Sequence, residues 1–415
     1  MPKSDVVIVG GGLAGICCAL RLEEKGVGCS VLEATDQPGG RIRTDVLDGF
    51  LLDRGFQVLL TAYPEARQRL DYAALQLGSF HSGAIVRAGG AFHKFGDPLR
   101  HWADAVPTLL APVGSFSDKL KVNSLRGRVS AGSLEDLYRR PETTTMERLL
   151  GDHGFSESMV ERFFRPFLGG IFLESNLETS SRKFEFVFRM FCQGEAALPA
   201  RGMQGIPDQL SDRLKPGTLR TNARVAALSS GGLTLSDGEQ IDAKQIVLAT
   251  EEPQATALLG LPGPEQYCSV ACLYYAAEES PVAGPWLVLN GEGKGPINNL
   301  CVPSQVRPEY SATGQSLISV TVVDNEAASG PELEKQVRGQ LKSWYGDSVS
   351  QWRHLRTYHI AYALPFQPPP ALSPVEKPAR YNGRIFVCGD HADTASIQGA
   401  MVSGRRAAEA VIASA

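Results

Sequence analysis

DVVIVGGGLAGICCALRLEEKGVGCSVLEA, Asp5 to Ala34, is the stretch on which the fold turns. DVVIVG is a short, β-branched apolar run, the pattern of a strand buried on both faces. The next stretch carries apolar residues at Leu13, Ile16, Cys17, Leu20 and Leu22 and stops on Gly26, which predicts a helix. CSVLEA, Cys29 to Ala34, predicts a second buried strand. Strand, glycine turn, helix and strand within about 30 residues make one βαβ unit.

Gly10, Gly12 and Gly15 place GxGxxG at the turn. The first glycine allows the tight bend, the second a close backbone approach to a pyrophosphate, and the third close packing of helix on sheet. The motif alone is weak in a glycine-rich chain; its strand-to-helix context strengthens it. Glu33 ends the second strand, 18 residues beyond Gly15, where a carboxylate accepts hydrogen bonds from both ribose hydroxyls. The plainer alternative is a structural turn followed by a surface glutamate. PGGRIRT, Pro38 to Thr44, adds Gly39, Gly40 and the Arg41 guanidinium for the other side of the same pyrophosphate.

Outward from this unit, the 415 residues exceed one ordinary domain, and 43% hydrophobic with 21% charged residues is a globular composition. With 41 basic and 45 acidic residues, net −4, there is no electrostatic footprint for nucleic acid. The 43 glycines, about 10% against a usual ~7%, imply backbone that bends sharply or approaches another group closely. Eight scattered cysteines fit as small hydrophobes; Cys268 and Cys272 have no second ligand pair at zinc spacing, so no metal is expected. The start MPKSDVVIVGGG shows no leader pattern, and no run approaches the roughly 18 apolar residues of a spanning helix. A reducing, cytoplasmic location is the resulting expectation.

From Tyr63 to Leu198 helical periodicity dominates. NARVAALSSGGLTLSDGEQIDAKQIVLAT reads as three strands, and strand-like alternation returns from Cys268 to Tyr362 around one helix, PELEKQVRGQLKSWY. RIFVCGD predicts a last buried strand, and a helix opening near Gly399 closes the chain.

GGGLAGxxxAxxL, LEA and GGRxxT, with the closing FVCGDHADTASIQGAMVSGRRAAEAV, resemble the flavoprotein superfamily of amine oxidases, protoporphyrinogen oxidases and carotenoid-type desaturases. The resemblance implies FAD as the tightly held cofactor. It also implies an α/β fold: a Rossmann-like FAD-binding domain from 1–62, 199–264 and 370–415, beside a mixed helical and β-sheet substrate domain from 63–198 and 265–369. Asp390, after Gly389 at a strand end, is expected to accept from ribityl hydroxyls, and the Ala400 and Met401 amides to face the flavin pyrimidine. DGFLLDRGFQVL resembles the segment passing the isoalloxazine, making Gly55, Phe56, Gln57 and Val58 candidate contacts. NARV resembles the adenine contact through Val225, while Leu13, Ala14, Ala34 and Gln398 complete the candidate set.

The family resemblance implies hydride removal from a lipophilic, polyene- or isoprenoid-like substrate, with reoxidation by oxygen or a quinone. An amine oxidase is the first alternative, but Ser396-Ile397-Gln398 lacks the aromatic that would cage an amine. A redox-neutral polyene isomerase is the second. Candidate acid–base residues are weakly marked: His391 beside the closing motif, and Tyr358, His359 and Tyr362 in TYHIAYALP, with His359 on the opposite face from the two tyrosines. Residues 97–120 mix Trp102, Leu109, Leu110 and Phe116 with Arg100 and Lys119. An amphipathic helix packed on the chain's own core is the first reading of this stretch; an interfacial segment at a membrane surface is the second.

Overall fold

The computed structural model describes residues 5–323 and 330–414. Its nucleating unit is β1 (Val6–Val9), α1 (Leu13–Glu24) and β2 (Cys29–Leu32), with every residue of both strands buried. Burial on both faces explains the unbroken apolar runs, since no strand position meets water. β1 pairs in parallel with β2 on one side and with Gln245–Leu248 on the other; Leu219–Arg220 and Ile385–Val387 extend the sheet to five parallel strands. Strands from the start, middle and end of the chain therefore meet in one sheet. The closing helix Ile397–Ile412 lies against α1, and a methyl group on Gly404 would collide with the Ala14 carbonyl. That close approach locks the two chain ends together.

NARVAALSSGG…IVLAT folds as four strands rather than three. Val225–Leu228, Gly232–Leu235 and Gln240–Asp242 form an antiparallel meander, while Gln245–Leu248 leaves it for the parallel sheet. A continuous run of turn signals does not mark that change of partner.

The second large sheet has seven strands, built on the long strand pair Tyr267–Ala277 and Arg353–Pro365. Its far edge is a hairpin, Gly83–Ala88 and Ala91–Gly96, from the stretch read as helical. The hairpin joins through parallel pairing with Leu287–Asn290, a partner about two hundred residues away that local periodicity does not reveal. The remaining helices, chiefly Phe116–Ser130, Arg165–Phe172 and Ser181–Gln193, form a layer with many phenylalanines. Phe95, Phe163, Phe167 and Phe191 follow one another at centroid spacings of 4.9, 5.4 and 5.2 Å.

Candidate active site

The carboxyl ends of the parallel strands converge, which is where open α/β sheets bind ligands. Gly10 to Gly12 follow β1, Glu33 follows β2, Glu251 follows Gln245–Leu248, and Gly389 and Asp390 follow Ile385–Val387. Gly39 N–H donates to Gly11 O at 2.9 Å, laying the PGGR loop against the first glycine turn.

The three motif glycines separate by cause. Gly10 has φ +109°, and a methyl there would sit 2.7 Å from Ala249 O; one on Gly15 would collide with Gly10 O. Gly12 is different: its φ is −75°, open to any residue, and an added methyl meets nothing within 4 Å. Nothing in the chain itself requires glycine at 12. It caps α1 without a side-chain hydrogen bond, and no acid in that helix's first turn offsets its positive end. These features fit a dinucleotide pyrophosphate.

Glu33 is buried, and its carboxylate accepts from Gly11 N–H (2.7 Å), Thr35 N–H (2.9 Å) and the Thr35 hydroxyl (2.7 Å). A carboxylate offers about four acceptor positions, so these three bonds do not exhaust it. Ala34 is half-buried beside it, and Ala223 N–H donates to Glu33 O at 2.8 Å, bringing the Val225 segment alongside. Leu13 and Ala14 are buried in the first turn of α1.

Arg41 holds the centre. Its Nη2 donates to Asp390 Oδ1 at 2.6 Å and its Nη1 to Ala363 O at 2.8 Å, with Glu251 Oε1 3.5 Å from Nε. Burial alone would raise the Asp390 carboxyl, but the charge and hydrogen bond of Arg41 hold it below the usual carboxylate range. Glu251 is raised by its own burial despite Arg41. Gln57 Nε2 donates to Arg41 O (2.9 Å) and Arg54 O (3.1 Å), fixing the Gly55–Val58 segment on Arg41. A methyl on Gly55 would lie 2.8 Å from Ile360 Cδ1, and Phe56 meets Phe80 edge-on at 5.9 Å. Val58 is half-buried next to them, and Gly40 is exposed at the loop tip.

The closing helix opens at Ile397, two residues before the expected Gly399. Ser396 caps it by accepting from Gly399 N–H at 3.0 Å, and Ala400 N–H closes the first turn on Ser396 O. The Ala400 amide is thus occupied, and Met401 is buried inside the helix. Among the described residues, the first-turn amides without a chain partner are those of Ile397 and Gln398. The Gln398 side chain is turned to structure, its Oε1 accepting from Glu65 N–H at 2.9 Å.

Of the weak acid–base candidates, Tyr358, Ile360 and Tyr362 do share the face toward Asp45, Gly55 and Arg41, and His359 is exposed on the other. Tyr358 OH donates to Asp45 Oδ2 (2.8 Å) and is pushed up to about 12, mainly by burial. Tyr362 OH donates to Glu252 Oε2 at 3.1 Å, and burial raises it further still. His391 is buried, its Nδ1 has no hydrogen-bond partner, and desolvation lowers its pKa against the pull of Asp390. It lines a groove of about 300 Å³ with Glu252, Lys377 and Tyr381, behind Asp390 rather than beside Tyr358.

Three features escaped sequence reasoning. Glu251 stands at a strand's carboxyl end, a readable position. Asp53 is a buried carboxyl gathering Thr44, Tyr310 and the Met203 amide. Lys183 is fully buried on Ser181–Gln193, on the stripe it shares with Val187 and Met190, and a lysine at an apolar stripe position is itself a signal.

Residues 97–120 depart from the core-packed reading. Trp102 is 86% exposed, Leu110 76% and Leu99 69%, and Val106, Leu109, Phe116 and Leu120 are exposed with them. The buried side chains of this stretch include Asp104, Thr108 and Asp118. Asp104 pairs with His81 at 2.6 Å, Thr108 accepts from Gly96 N–H at 2.9 Å, and Arg100 holds the Phe191, Cys192 and Gly194 carbonyls. Polar groups and the small apolar Ala111 and Val113 anchor the segment, and its larger apolar groups face outward. No helix among the described residues is long and apolar enough to cross a membrane.

A sequence model described as flavin containing amine oxidoreductase matches residues 13–412. The chain is 23% identical to a coproporphyrinogen III oxidase of Bacillus subtilis over 62% of each protein. It is 25% identical to a hydroxysqualene dehydroxylase of Rhodopseudomonas palustris over 99% of each. Its fold is similar to that of an oxidoreductase from Methanosarcina mazei, with a TM-score of 0.72 and 18% identity over 98% of this chain and 99% of that one.

Proposed function

The chain belongs to the flavin-containing amine oxidoreductase family and is an FAD-dependent oxidoreductase, and from that premise we propose that it oxidises a lipophilic, isoprenoid- or polyene-like substrate drawn from a lipid surface. The observation that carries this reading is the outward-facing apolar band Leu99–Trp102–Val106–Leu110, held by polar anchors on its inner side. An exposed patch of this kind on a folded chain marks an interaction surface, and Arg100 ties it to the helix end that carries Phe191. The layer beneath, Phe95–Phe163–Phe167–Phe191, is apolar throughout.

Bound FAD supplies a two-electron acceptor for hydride. The chain's residues do the rest. Gly10, Gly12 and Gly15, with the N-terminus of α1, receive the pyrophosphate, Glu33 the ribose, and the Val225 backbone the adenine. Arg41 and Asp390 form a fixed charge pair at the centre, and Gly55 to Val58 bring backbone past the ring. The Ile397 and Gln398 amides take the role expected of Ala400 and Met401. An amine substrate would need a carboxylate or aromatic cage for its charge, and Asp390 Oδ1 is already bonded to Arg41. Reoxidation is assigned to oxygen or a quinone.

The test is product analysis. Yellow holoenzyme is incubated with vesicle-dispersed squalene-type and polyene compounds and, separately, with mono- and diamines. New carbon–carbon double bonds in the lipid fraction, with consumption of an acceptor, are expected. Aldehyde and peroxide from amines alone would overturn the reading, and rearranged polyene without acceptor consumption would replace it with an isomerase.

A further inference from the structure

The apolar band ends among cations. Lys119 Nζ donates to Leu109 O at 2.7 Å and to Ala111 O at 2.9 Å, and Arg162 Nη1 donates to Pro112 O at 2.6 Å. Both side chains thus hold the end of the helix Ala105–Leu110 and the turn after it, where Leu109 is 51% and Leu110 76% exposed. Arg162 also lines a basin of about 490 Å³, together with Lys294, Glu292, Gly89, Gly90 and Gly291. The wall of this basin is largely backbone. Gly89 and Gly90 form the tip of the hairpin Gly83–Gly96, where an added methyl group meets nothing within 4 Å, so the rim is open. Gly291 is tight: a methyl there would lie 2.7 Å from Arg162 O, so the end of the strand Leu287–Asn290 packs directly on the Arg162 backbone.

The charges of the basin do not cancel. Glu292 is committed: its Oε1 accepts from Gly90 N–H at 2.7 Å and lies 3.8 Å from Arg87 Nε. Glu161, beside Arg162 in sequence, pairs with Arg165. Among the described residues, Arg162 and Lys294 pair with no carboxylate, and both are exposed. Two uncompensated cations in one polar basin attract an anion. A phosphate suits this pair, since guanidinium offers a planar fork of donors and ammonium a mobile point charge.

We propose that the basin binds the phosphate of an anionic phospholipid, Arg162 and Lys294 meeting its oxygens while Leu109 and Leu110 enter the acyl layer alongside. The proposal rests on the lipid-surface reading above and gives that surface a charge. A lipid headgroup, rather than a free phosphate ion, follows from continuity: Arg162 belongs both to the basin and to the end of the apolar band. The chain as a whole carries net −4, so attraction to an anionic surface has to come from a local site of this kind.

The test is co-sedimentation of the holoenzyme, at about 0.1 M salt, with vesicles of phosphatidylcholine alone and with vesicles also containing phosphatidylglycerol. The parent chain should prefer the anionic vesicles at least tenfold. Arg162→Gln with Lys294→Gln should erase that preference, at about fivefold for each basic residue lost, and keep the weaker binding to neutral vesicles that the band supplies. Because Arg162 also holds Pro112 O, Lys294→Gln alone serves as the variant that leaves the fold untouched; it should lower the preference about fivefold. Lys244→Gln with Lys335→Gln makes the same charge change at two exposed lysines elsewhere and should retain the preference. Equal losses in the two double variants would reduce the effect to net charge and overturn the site, as would a parent chain indifferent to phosphatidylglycerol. Displacement from the vesicles by inorganic phosphate, and not by chloride at equal ionic strength, would give the basin to the free ion and overturn the lipid assignment. Flavin bleaching by detergent-dispersed donors, measured alongside, reads the oxidation proposal separately and should be the same in the parent and all variants.

Discussion

Arg41 Nη2 donates to Asp390 Oδ1 at 2.6 Å, joining residues 349 positions apart at the carboxyl ends of the parallel strands. The pair links the glycine loops at the start of the chain to its closing motif, so cofactor retention and folding should both depend on it. Removing one partner of a largely buried ion pair costs about 3 kcal/mol, because the other charge is left behind. Arg41→Ala should lower the denaturation midpoint and the flavin content together, and Asp390→Asn should do the same. Asp390 is lowered in the folded state, so its contribution is present above the ordinary value of 3.8 and is lost on acidification. The double variant should recover at least about 1 kcal/mol relative to the sum of the singles. Strict additivity in urea unfolding would show that the pair is not coupled.

Gly12 and Gly404 should separate cofactor binding from packing. A methyl on Gly12 meets nothing in the chain, whereas one on Gly404 strikes the Ala14 carbonyl. Gly12→Ala is expected to keep the stability of the flavin-free protein within about 0.5 kcal/mol while weakening FAD binding at least tenfold. Gly404→Ala should cost about 1–3 kcal/mol with or without flavin. Flavin titration of deflavinated protein, alongside thermal unfolding, checks both.

Asp53 predicts a pH dependence of stability. Burial pushes its carboxyl up to about 6, from an ordinary 3.8, although Thr44, the Met203 amide and Tyr310 pull the other way. The folded state favours the protonated form, so the contribution is complete below about pH 4 and is lost as pH rises through 6. Asp53→Asn stays neutral throughout. It should leave stability at pH 4 nearly unchanged and raise it at pH 8 by on the order of 2 kcal/mol. Equal shifts at both pH values would contradict the assignment.

The apolar band should bind lipid. Trp102→Ser with Leu110→Ser removes its two most exposed large side chains without touching the Asp104, Thr108 or Arg100 anchors. Co-sedimentation with phosphatidylglycerol-containing vesicles is expected to fall at least fivefold, with flavin content and thermal midpoint unchanged. Equal sedimentation of parent and variant would assign the band to something other than a lipid surface.

The legible parts of this fold were those whose cause is local. β1, α1 and β2 follow from an apolar run, three glycines and a stop at Gly26, and Glu33 follows from its distance to the turn. Residues whose cause lies in distant partners were not legible. The hairpin Gly83–Gly96 owes its place to Leu287–Asn290, and Asp53 has meaning only with Thr44 and Tyr310. Lys183 is marked in the sequence by its place on an apolar stripe, but its partner, the ring of Phe172, is not. The closing helix starts at Ile397 rather than near Gly399 because Ser396, a readable cap, stands directly before it.

The most direct test of the central claim is anaerobic mixing of the yellow holoenzyme with candidate donors while the flavin absorbance near 450 nm is followed. Oxidation of a lipophilic substrate predicts rapid bleaching by vesicle-borne polyenes or isoprenoids and none by mono- or diamines. Bleaching by amines with no response to any lipid donor would contradict it.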